Sequence, residues 1–266
     1  MKLSGKHALI TGGNGVIGAA IARALADEGA EILVSGRSGG DIAADVSKES
    51  DVRALMRAAQ EKFDVLDVLV CAAGTNGAIG LLEETEPGAW MEAVNVNLLG
   101  TMQCIRYALP LLRKSARGKI VTFAGGGEGP RQRLSSYVAS KAGVVRLTET
   151  LAAELAPIEI NVISPGLVNS GLVQRILKLG EAIVGKEMFG SAQKEVAGEG
   201  GAVSPDKAAA LAVFLASDAS NGLSGRNISA QWDTWEQIPE HLKEIMSSDV
   251  YTVRRIKPKD RGYGWK

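Results

Sequence analysis

The chain has 266 residues, 45% hydrophobic and 23% charged, a composition that excludes disordered and fibrous proteins and suits one large α/β domain. Thirty basic residues balance thirty acidic ones, so no overall field favours nucleic acid or an anionic membrane as a partner. Two cysteines without metal-ligand spacing and only two histidines argue against a disulfide scaffold, a zinc site and histidine base chemistry. Residues 1–6 carry no secretory pattern and no long apolar run follows, which predicts a cytoplasmic protein outside the membrane.

Short β-branched runs alternate with helical patterns along most of the chain. This alternation predicts a doubly wound α/β sandwich of three layers around a mostly parallel sheet. Strands are expected at 7–11, 31–35, 65–72, 119–123, 158–164 and 227–230, with a further one at 41–44. Because residues 37–41 leave no room for a helix, we expect an abbreviated link between the second and third strands.

A glycine-rich loop follows the first predicted strand and opens directly into a helix. Gly13, Gly15 and Gly18 form the pattern G-x-G-x-x-G. Such glycines allow backbone to approach a pyrophosphate, whose charge is favoured by the helix N-terminus; the alternative is an ordinary glycine-rich turn. The pattern predicts dinucleotide binding by Gly12, Gly13, Asn14, Gly15, Val16, Ile17 and Gly18.

The end of the second strand bears on the choice between NAD and NADP. An acidic residue there would bind the ribose of NAD, whereas Ser35, Arg37 and Ser38 suit the 2′-phosphate of NADP. The sequence therefore favours NADP(H) over NAD(H). Two alternatives stay open: Arg37 is a solvated surface residue, or Asp41 or Asp45 reaches the adenosine side.

Tyr137 and Lys141 stand four residues apart at the start of a predicted helix, so they share one face. A phenol is a poor base at neutral pH, but a nearby cation favours the phenolate and lowers its pKa. The pair predicts a tyrosine acid/base in place of the absent histidine.

Several motifs in this order resemble the short-chain dehydrogenase/reductase family over about residues 5–230. The resemblance implies a seven-stranded sheet, a nicotinamide dinucleotide, and hydride transfer between a ketone and a secondary alcohol. It also implies one of the shorter, oligomeric members, a homodimer or homotetramer acting on a small molecule. It rests on the glycine loop, Cys71-Ala72-Ala73-Gly74, Asn97, Tyr137 with Lys141, and Pro165-Gly166.

The resemblance assigns further roles residue by residue. It makes Tyr137 the acid/base, has Lys141 hold the nicotinamide ribose and lower the phenol pKa, and has Asn97 hold a water in a proton relay. The remaining cofactor contacts that it implies are Asp45 and Val46 at the adenine, Ala72, Ala73 and Gly74 after the fourth strand, and Pro165, Gly166, Val168 and Ser170 at the nicotinamide. The alternatives are a buried amide capping a helix turn for Asn97 and a helix N-cap for Asp45.

One departure from the family bears on activity. The family places a serine twelve or thirteen residues before the tyrosine, where this chain has Gly125 and Ala124, and we assign Ala124 to that position. The serine donates a hydrogen bond to the reacting oxygen, so its loss would impair catalysis or mark an engineered variant. A non-catalytic dinucleotide-binding or regulatory protein is the alternative.

The remaining predictions concern the substrate and the C-terminal end. Arg131 and Arg133 precede Tyr137 and are candidates to bind an anionic substrate group, the alternative being a solvated loop. Residues 1–230 are expected to form the dinucleotide-binding domain, with a lid at about 171–204. Residues 231–266 hold five of the twelve aromatics, so this extension should pack on its own or a neighbouring subunit.

Overall fold

A parallel β-sheet of seven strands crosses the computed structural model, which describes residues 1–125, 131–199 and 203–265. The strands are β1 (His7–Thr11), β2 (Glu31–Gly36), β3 (Ile42–Ala43), β4 (Val68–Cys71), β5 (Lys119–Phe123), β6 (Glu159–Ser164) and β7 (Asn227–Ser229). Their order is β3-β2-β1-β4-β5-β6-β7, and every neighbouring pair is parallel. The doubly wound fold is therefore confirmed, and the strand order reverses between β1 and β4.

Helices cover both faces of the sheet. The long ones are α1 (Val16–Asp27), α2 (Glu49–Lys62), α4 (Gly100–Leu112), α5 (Ser135–Glu154) and α9 (Pro205–Ala216). Shorter ones are α3 (Pro87–Ala93), α6 (Gly171–Leu179), α7 (Glu181–Val184), α8 (Lys186–Val196) and α10 (Leu242–Met246). Apolar residues of α1 and α9 bury one face of the sheet, and those of α2 and α4 bury the other. Three layers result, as expected.

The link between β2 and β3 contains no helix, which confirms the prediction for this crossover. A two-residue strand, Gly39–Gly40, occupies it instead. The Asp41 carboxylate accepts a hydrogen bond from the Val34 N–H (2.8 Å), and the Asp41 N–H donates to the Val34 carbonyl (2.9 Å). Asp41 therefore holds the short link against β2 without a packed helix.

The C-terminal extension packs on its own chain through its first half. Ile238 and Ile245 are buried in the core that covers α9, and the Trp235 ring contacts Phe214. The carbonyl of Tyr251 accepts a hydrogen bond from the N–H of Asn227 (2.8 Å), so the extension also follows the outer strand β7. Not every aromatic is covered: Trp232, Tyr263 and Trp265 stay more than half exposed.

Candidate active site

The glycine loop and α1 lie at the carboxyl end of β1, beside the reversal of strand order. Gly12 has φ +69°, and an added Cβ would collide with the backbone of Ala73, so only glycine fits. A Cβ added to Gly18 would lie 2.3 Å from the Gly12 carbonyl oxygen, so this position also has no room for a side chain. Gly15 is the N-cap of α1 and has no side chain, so no side-chain hydrogen bond caps the helix. The first turn of α1 also holds no acidic residue. This open helix N-terminus fits a phosphate group.

The end of β2 lies next to this loop. The Ser35 hydroxyl is buried and has no hydrogen-bond partner among the described residues. Arg37 and Ser38 are exposed, and no described carboxylate forms an ion pair with Arg37. An added Cβ on Gly36 or Gly39 would lie 2.8 Å from the Asn14 amide nitrogen, so these glycines make room for Asn14. The Arg37 guanidinium therefore has no ion pair among the described residues, and its charge is the last of the causes that lower the pKa of Asp45.

Asp45 and Val46 stand between β3 and α2. The Asp45 carboxylate accepts hydrogen bonds from the Ser47 hydroxyl (2.7 Å) and N–H (3.0 Å), and the hydroxyl contact is the main cause that lowers the pKa of Asp45. Asp45 is not the N-cap of α2, because Lys48 occupies that position. Val46 is buried and packs against Gly100. A Cβ added to Gly100 would lie 2.7 Å from a Val46 methyl carbon.

Asn97 is fully buried in a π-helical turn, Val94–Leu99, between α3 and α4. Its Oδ1 accepts from the Thr75 N–H (2.9 Å), and its Nδ2 donates to the Thr75 carbonyl and to the Ser140 hydroxyl (both 2.9 Å). Ser140 donates in turn to the Tyr137 carbonyl (2.7 Å). Asn97 therefore joins the loop after β4 to α5 rather than capping a helix turn, and π-turns of this kind are frequent at functional sites.

This network leaves Asn97 few free groups for a water. Both amide N–H groups are occupied, and the Asn97 carbonyl accepts from the Thr101 hydroxyl (2.7 Å). A relay water would have to use a remaining lone pair of these oxygens. The water-holding role stays a prediction.

Lys141 and Tyr137 reach the same region from the first turns of α5. The Lys141 ammonium is buried and donates to the Phe123 carbonyl at the end of β5 (3.0 Å). It also lies 3.8 Å from the point where Gly74 would carry a Cβ, which is ordinary van der Waals contact, so the amine borders the loop after β4. The carboxyl end of β5 and the loop after β4 thus meet α5 at Lys141.

The pKa values depart from the sequence-based expectation. Burial raises the pKa of Tyr137 to about 12 and lowers that of Lys141 to about 8. The expected lowering of the phenol pKa is not found, because desolvation disfavours the phenolate and the Lys141 amine is directed at a carbonyl.

Gly125, rather than Ala124, faces the tyrosine. A Cβ added to Gly125 would fall well inside van der Waals contact of the Tyr137 hydroxyl. The Ala124 side chain instead packs with Val145 and Val162 in a small apolar cluster. The geometry therefore moves our assignment of the family serine from Ala124 to Gly125, and this reassignment stays a prediction.

The segment after β6 turns sharply before α6. Gly166 has φ +79°, and an added Cβ would lie 2.7 Å from a Val203 methyl and 2.9 Å from Gln231 Oε1. Pro165 precedes this turn, Val168 is buried, and Ser170 stands at the N-cap of α6 without a side-chain hydrogen bond. Together these contacts fix the turn that leads from the sheet to the predicted lid.

The first helix of the predicted lid, α6, lies against the loop after β4; residues 200–202 of the lid fall outside the described ranges. The Asn76 amide donates to the Leu172 carbonyl (3.1 Å), and the Arg175 guanidinium lies 3.4 Å from the Thr75 hydroxyl. Arg133 donates to the Ile183 carbonyl (2.9 Å), so this predicted substrate residue contacts α7. Arg131 is exposed.

Sequence reasoning missed Arg175, Thr75 and Ser140. Arg175 lies within the predicted lid, but the helical pattern alone does not distinguish a residue that faces the site from one that faces solvent. Thr75 and Ser140 take part through backbone and hydroxyl contacts that leave no sequence signal beyond their adjacency to Gly74 and Lys141.

Comparisons with known proteins agree with this fold and site. Residues 13–231 match the family model described as enoyl-(acyl carrier protein) reductase. D-β-hydroxybutyrate dehydrogenase from Cupriavidus necator is 34% identical, covering 86% of this chain and 98% of that protein. L-fucose dehydrogenase from Mus musculus is also 34% identical, covering 82% and 85%. The chain belongs to the short-chain dehydrogenase/reductase family and is an oxidoreductase of the NAD(P)-dependent kind.

The structural comparison gives the same family. Aldohexose dehydrogenase from Thermoplasma acidophilum, solved in ligand-free form, superposes with a TM-score of 0.75 at 26% identity, covering 85% of this chain and 92% of that one. None of the described helices combines the length and the apolar sequence that crossing a membrane requires.

Proposed function

We propose that the protein is an NADP(H)-dependent oxidoreductase that interconverts a ketone and a secondary alcohol, with Tyr137 as the acid/base. The observation that carries the proposal is the meeting of Tyr137, Lys141 and the Asn97 network beside the open N-terminus of α1. Tyr137 and Lys141 come from α5 and Asn97 comes from the π-helical turn, and all three lie at the carboxyl edge of the sheet.

The cofactor would be held by this chain in three places. The uncapped N–H groups at the start of α1 would bind the pyrophosphate. The adenosine 2′-phosphate would be bound by Ser35, Arg37 and Ser38, so the chain would bind NADP(H) more tightly than NAD(H). The turn at Gly166 and the Lys141 ammonium would hold the nicotinamide half.

The chemistry divides between the cofactor and the protein. When bound, the nicotinamide would supply or accept the hydride at the reacting carbon. The Tyr137 hydroxyl donates a proton to the carbonyl oxygen during reduction and accepts it back during oxidation. Because burial raises the pKa of this hydroxyl to about 12, oxidation requires a cation to stabilise the phenolate, and Lys141 is one helical turn away. Asn97 would position Tyr137 through Ser140, whose hydroxyl donates to the Tyr137 carbonyl.

A second candidate function is supported by the glycine at position 125. With no side-chain hydroxyl there, the site lacks the donor that the family uses to stabilise charge on the reacting oxygen. A dinucleotide-binding protein with little catalysis, which senses the cofactor or supports a partner, would need no such donor.

Substrate and assembly belong to the same proposal. The relatives named above act on a hydroxy acid and on a neutral sugar, so both classes are candidates. We place the substrate among small carbonyl or alcohol compounds, and the chain in a homodimer or homotetramer.

The test separates the two candidate functions. NADPH binding is measured by nicotinamide fluorescence, and hydride transfer is then followed in single turnovers with a panel of ketones and alcohols. Tyr137→Phe should abolish turnover and leave the NADPH Kd within about twofold, because the proposed mechanism takes the proton from this hydroxyl. Tyr107→Phe, whose hydroxyl bonds to Glu49 away from the site, is the matched control and should retain activity. Full activity in Tyr137→Phe would refute the mechanism, and binding without turnover would favour the second candidate.

A further inference from the structure

Arg175 brings a positive charge to the proposed active site from the lid. It is half-buried on α6, and one guanidinium nitrogen lies 3.4 Å from the Thr75 hydroxyl. Thr75 is the residue whose backbone N–H and carbonyl bond to the Asn97 amide. Thr75 therefore connects the guanidinium to the hydrogen bonds that run from Asn97 through Ser140 to Tyr137.

No described carboxylate forms an ion pair with this guanidinium. Arg175 contacts one neutral hydroxyl at the long end of the hydrogen-bond range, although it has five N–H donors. A partly desolvated guanidinium with so few acceptors favours an anion.

The lid is fixed in a way that keeps Arg175 at this place. The Asn76 amide donates to the Leu172 carbonyl one turn earlier on α6, so the helix is held against the loop after β4 at two points. Arg133, the arginine expected from the sequence, is directed to the Ile183 carbonyl and packs against Gly185. Of these two cations, Arg175 is the one whose contact leads to Asn97.

We propose that Arg175 binds the carboxylate of a hydroxy acid or keto acid, which places the substrate among these acids rather than among neutral sugars or alcohols. The inference rests on the proposed function, because it assigns a substrate class to the same site. A planar guanidinium matches a carboxylate with two parallel hydrogen bonds, which a neutral substrate cannot supply. A cofactor phosphate has the same anionic chemistry, and the experiment separates these two sources.

The experiment uses the full chain with NADP(H) and a series of 2-, 3- and 4-hydroxy acids, each beside its methyl ester. The parent should prefer at least one free acid over its ester by about tenfold or more in kcat/KM. Arg175→Met should raise the KM of that acid by about 10- to 100-fold and leave the ester within about threefold. The KM of Arg175→Lys for the acid should lie between those of the parent and Arg175→Met, because lysine keeps the charge but lacks the planar guanidinium.

Two controls make the result specific. Lys178→Met removes an exposed charge from the same helix and should leave the preference for the acid intact. Calorimetric binding of the hydroxy acid to the NADPH complex supplies a readout that needs no turnover: the parent should bind it and Arg175→Met should not.

The contrary outcomes are distinct. Equal kcat/KM for acid and ester in the parent, or equal losses for both in Arg175→Met, would overturn the carboxylate assignment and leave the proposed function standing. A weaker NADPH Kd in Arg175→Met with an unchanged preference for the acid would assign the guanidinium to a cofactor phosphate. A parent that neither binds NADPH nor turns over any member of the series refutes the proposed function itself.

Discussion

The absence of a side chain on Gly125 makes room for the Tyr137 hydroxyl, which occupies the place where a Cβ would lie. Adding Cβ alone would push the hydroxyl back, and adding a hydroxyl as well would supply a donor to the reacting oxygen. Serine and alanine at position 125 therefore separate the steric effect from the hydrogen bond.

We expect Gly125→Ser to exceed Gly125→Ala in kcat by about 10²- to 10³-fold, the usual effect of one donor to a developing oxyanion. The NADPH Kd should be similar in both variants. Ala124→Ser serves as the control, because its hydroxyl would lie in the cluster with Val145 and Val162 and should not raise kcat. Single-turnover hydride transfer measures all three. Equal kcat for serine and alanine at position 125 would show that another group or water already supplies the donor.

Lys141 shows how a buried charge lowers the stability of the fold. Burial reduces its pKa from 10.5 to about 8, so between these values the folded chain binds fewer protons than the unfolded chain. The free energy of unfolding therefore rises with pH over this window, and below pH 8 the cost of burying the charge is complete.

Lys141→Met should consequently be more stable than the parent at pH 7, by about 1–3 kcal/mol, and less active. The difference should shrink between pH 8 and pH 10.5. Thermal unfolding at several pH values measures it, with Lys178→Met as the exposed control that shows no such trend. A constant difference across this window would mean that the Lys141 pKa is not lowered in the folded chain.

At the scale of elements, the short link between β2 and β3 is the part of the fold on which the proposed preference for NADP(H) depends. Because no helix packs there, the end of β2 stays open and Arg37 projects into solvent without an ion pair among the described residues. The same link would have to close around a 2′-phosphate.

We expect NADP(H) to bind at least about tenfold more tightly than NAD(H), since a charge-assisted bidentate contact contributes about 1.5–3 kcal/mol. Arg37→Ala should reduce this ratio to about one by weakening NADP(H) alone. Arg113→Ala, an exposed arginine at the end of α4, is the control for loss of charge. Fluorescence titration with both dinucleotides gives the ratio; an unchanged ratio in Arg37→Ala would assign the preference elsewhere.

The elements differ in how far the sequence predicts them. Strands and long helices follow from hydrophobic periodicity, so β1 and β5 have the expected bounds, while residues 65–67 lie outside β4 although the apolar run begins there. The π-turn around Asn97 and the contact of Arg175 with Thr75 depend on residues far apart in the chain, which periodicity cannot reveal. Ala124 and Gly125 both have a spacing to Tyr137 that fits the family serine. Only the three-dimensional structure shows that Gly125 faces the Tyr137 hydroxyl.

At the scale of the whole molecule, the C-terminal extension divides into two parts. Residues up to Val253 are tied to the domain: the Val253 N–H donates to the Glu149 carboxylate (2.6 Å), and its carbonyl accepts from Arg146 (2.5 Å). Beyond this point the side chains are mostly exposed, and Tyr263 and Trp265 stack on each other with ring centroids 4.4 Å apart.

Two truncations should therefore behave differently. Removing residues 231–266 uncovers the core around α9 and the outer edge of β7, and loss of Ile238 and Ile245 alone costs about 3–6 kcal/mol of stability. Removing residues 254–266 should leave the melting temperature near that of the parent, because few buried contacts are lost. If the exposed aromatics contact a neighbouring subunit, the shorter cut should still weaken the oligomer. Differential scanning calorimetry and light scattering after size exclusion measure both effects, and an unchanged melting temperature after the longer cut would show that the extension contributes nothing to the core.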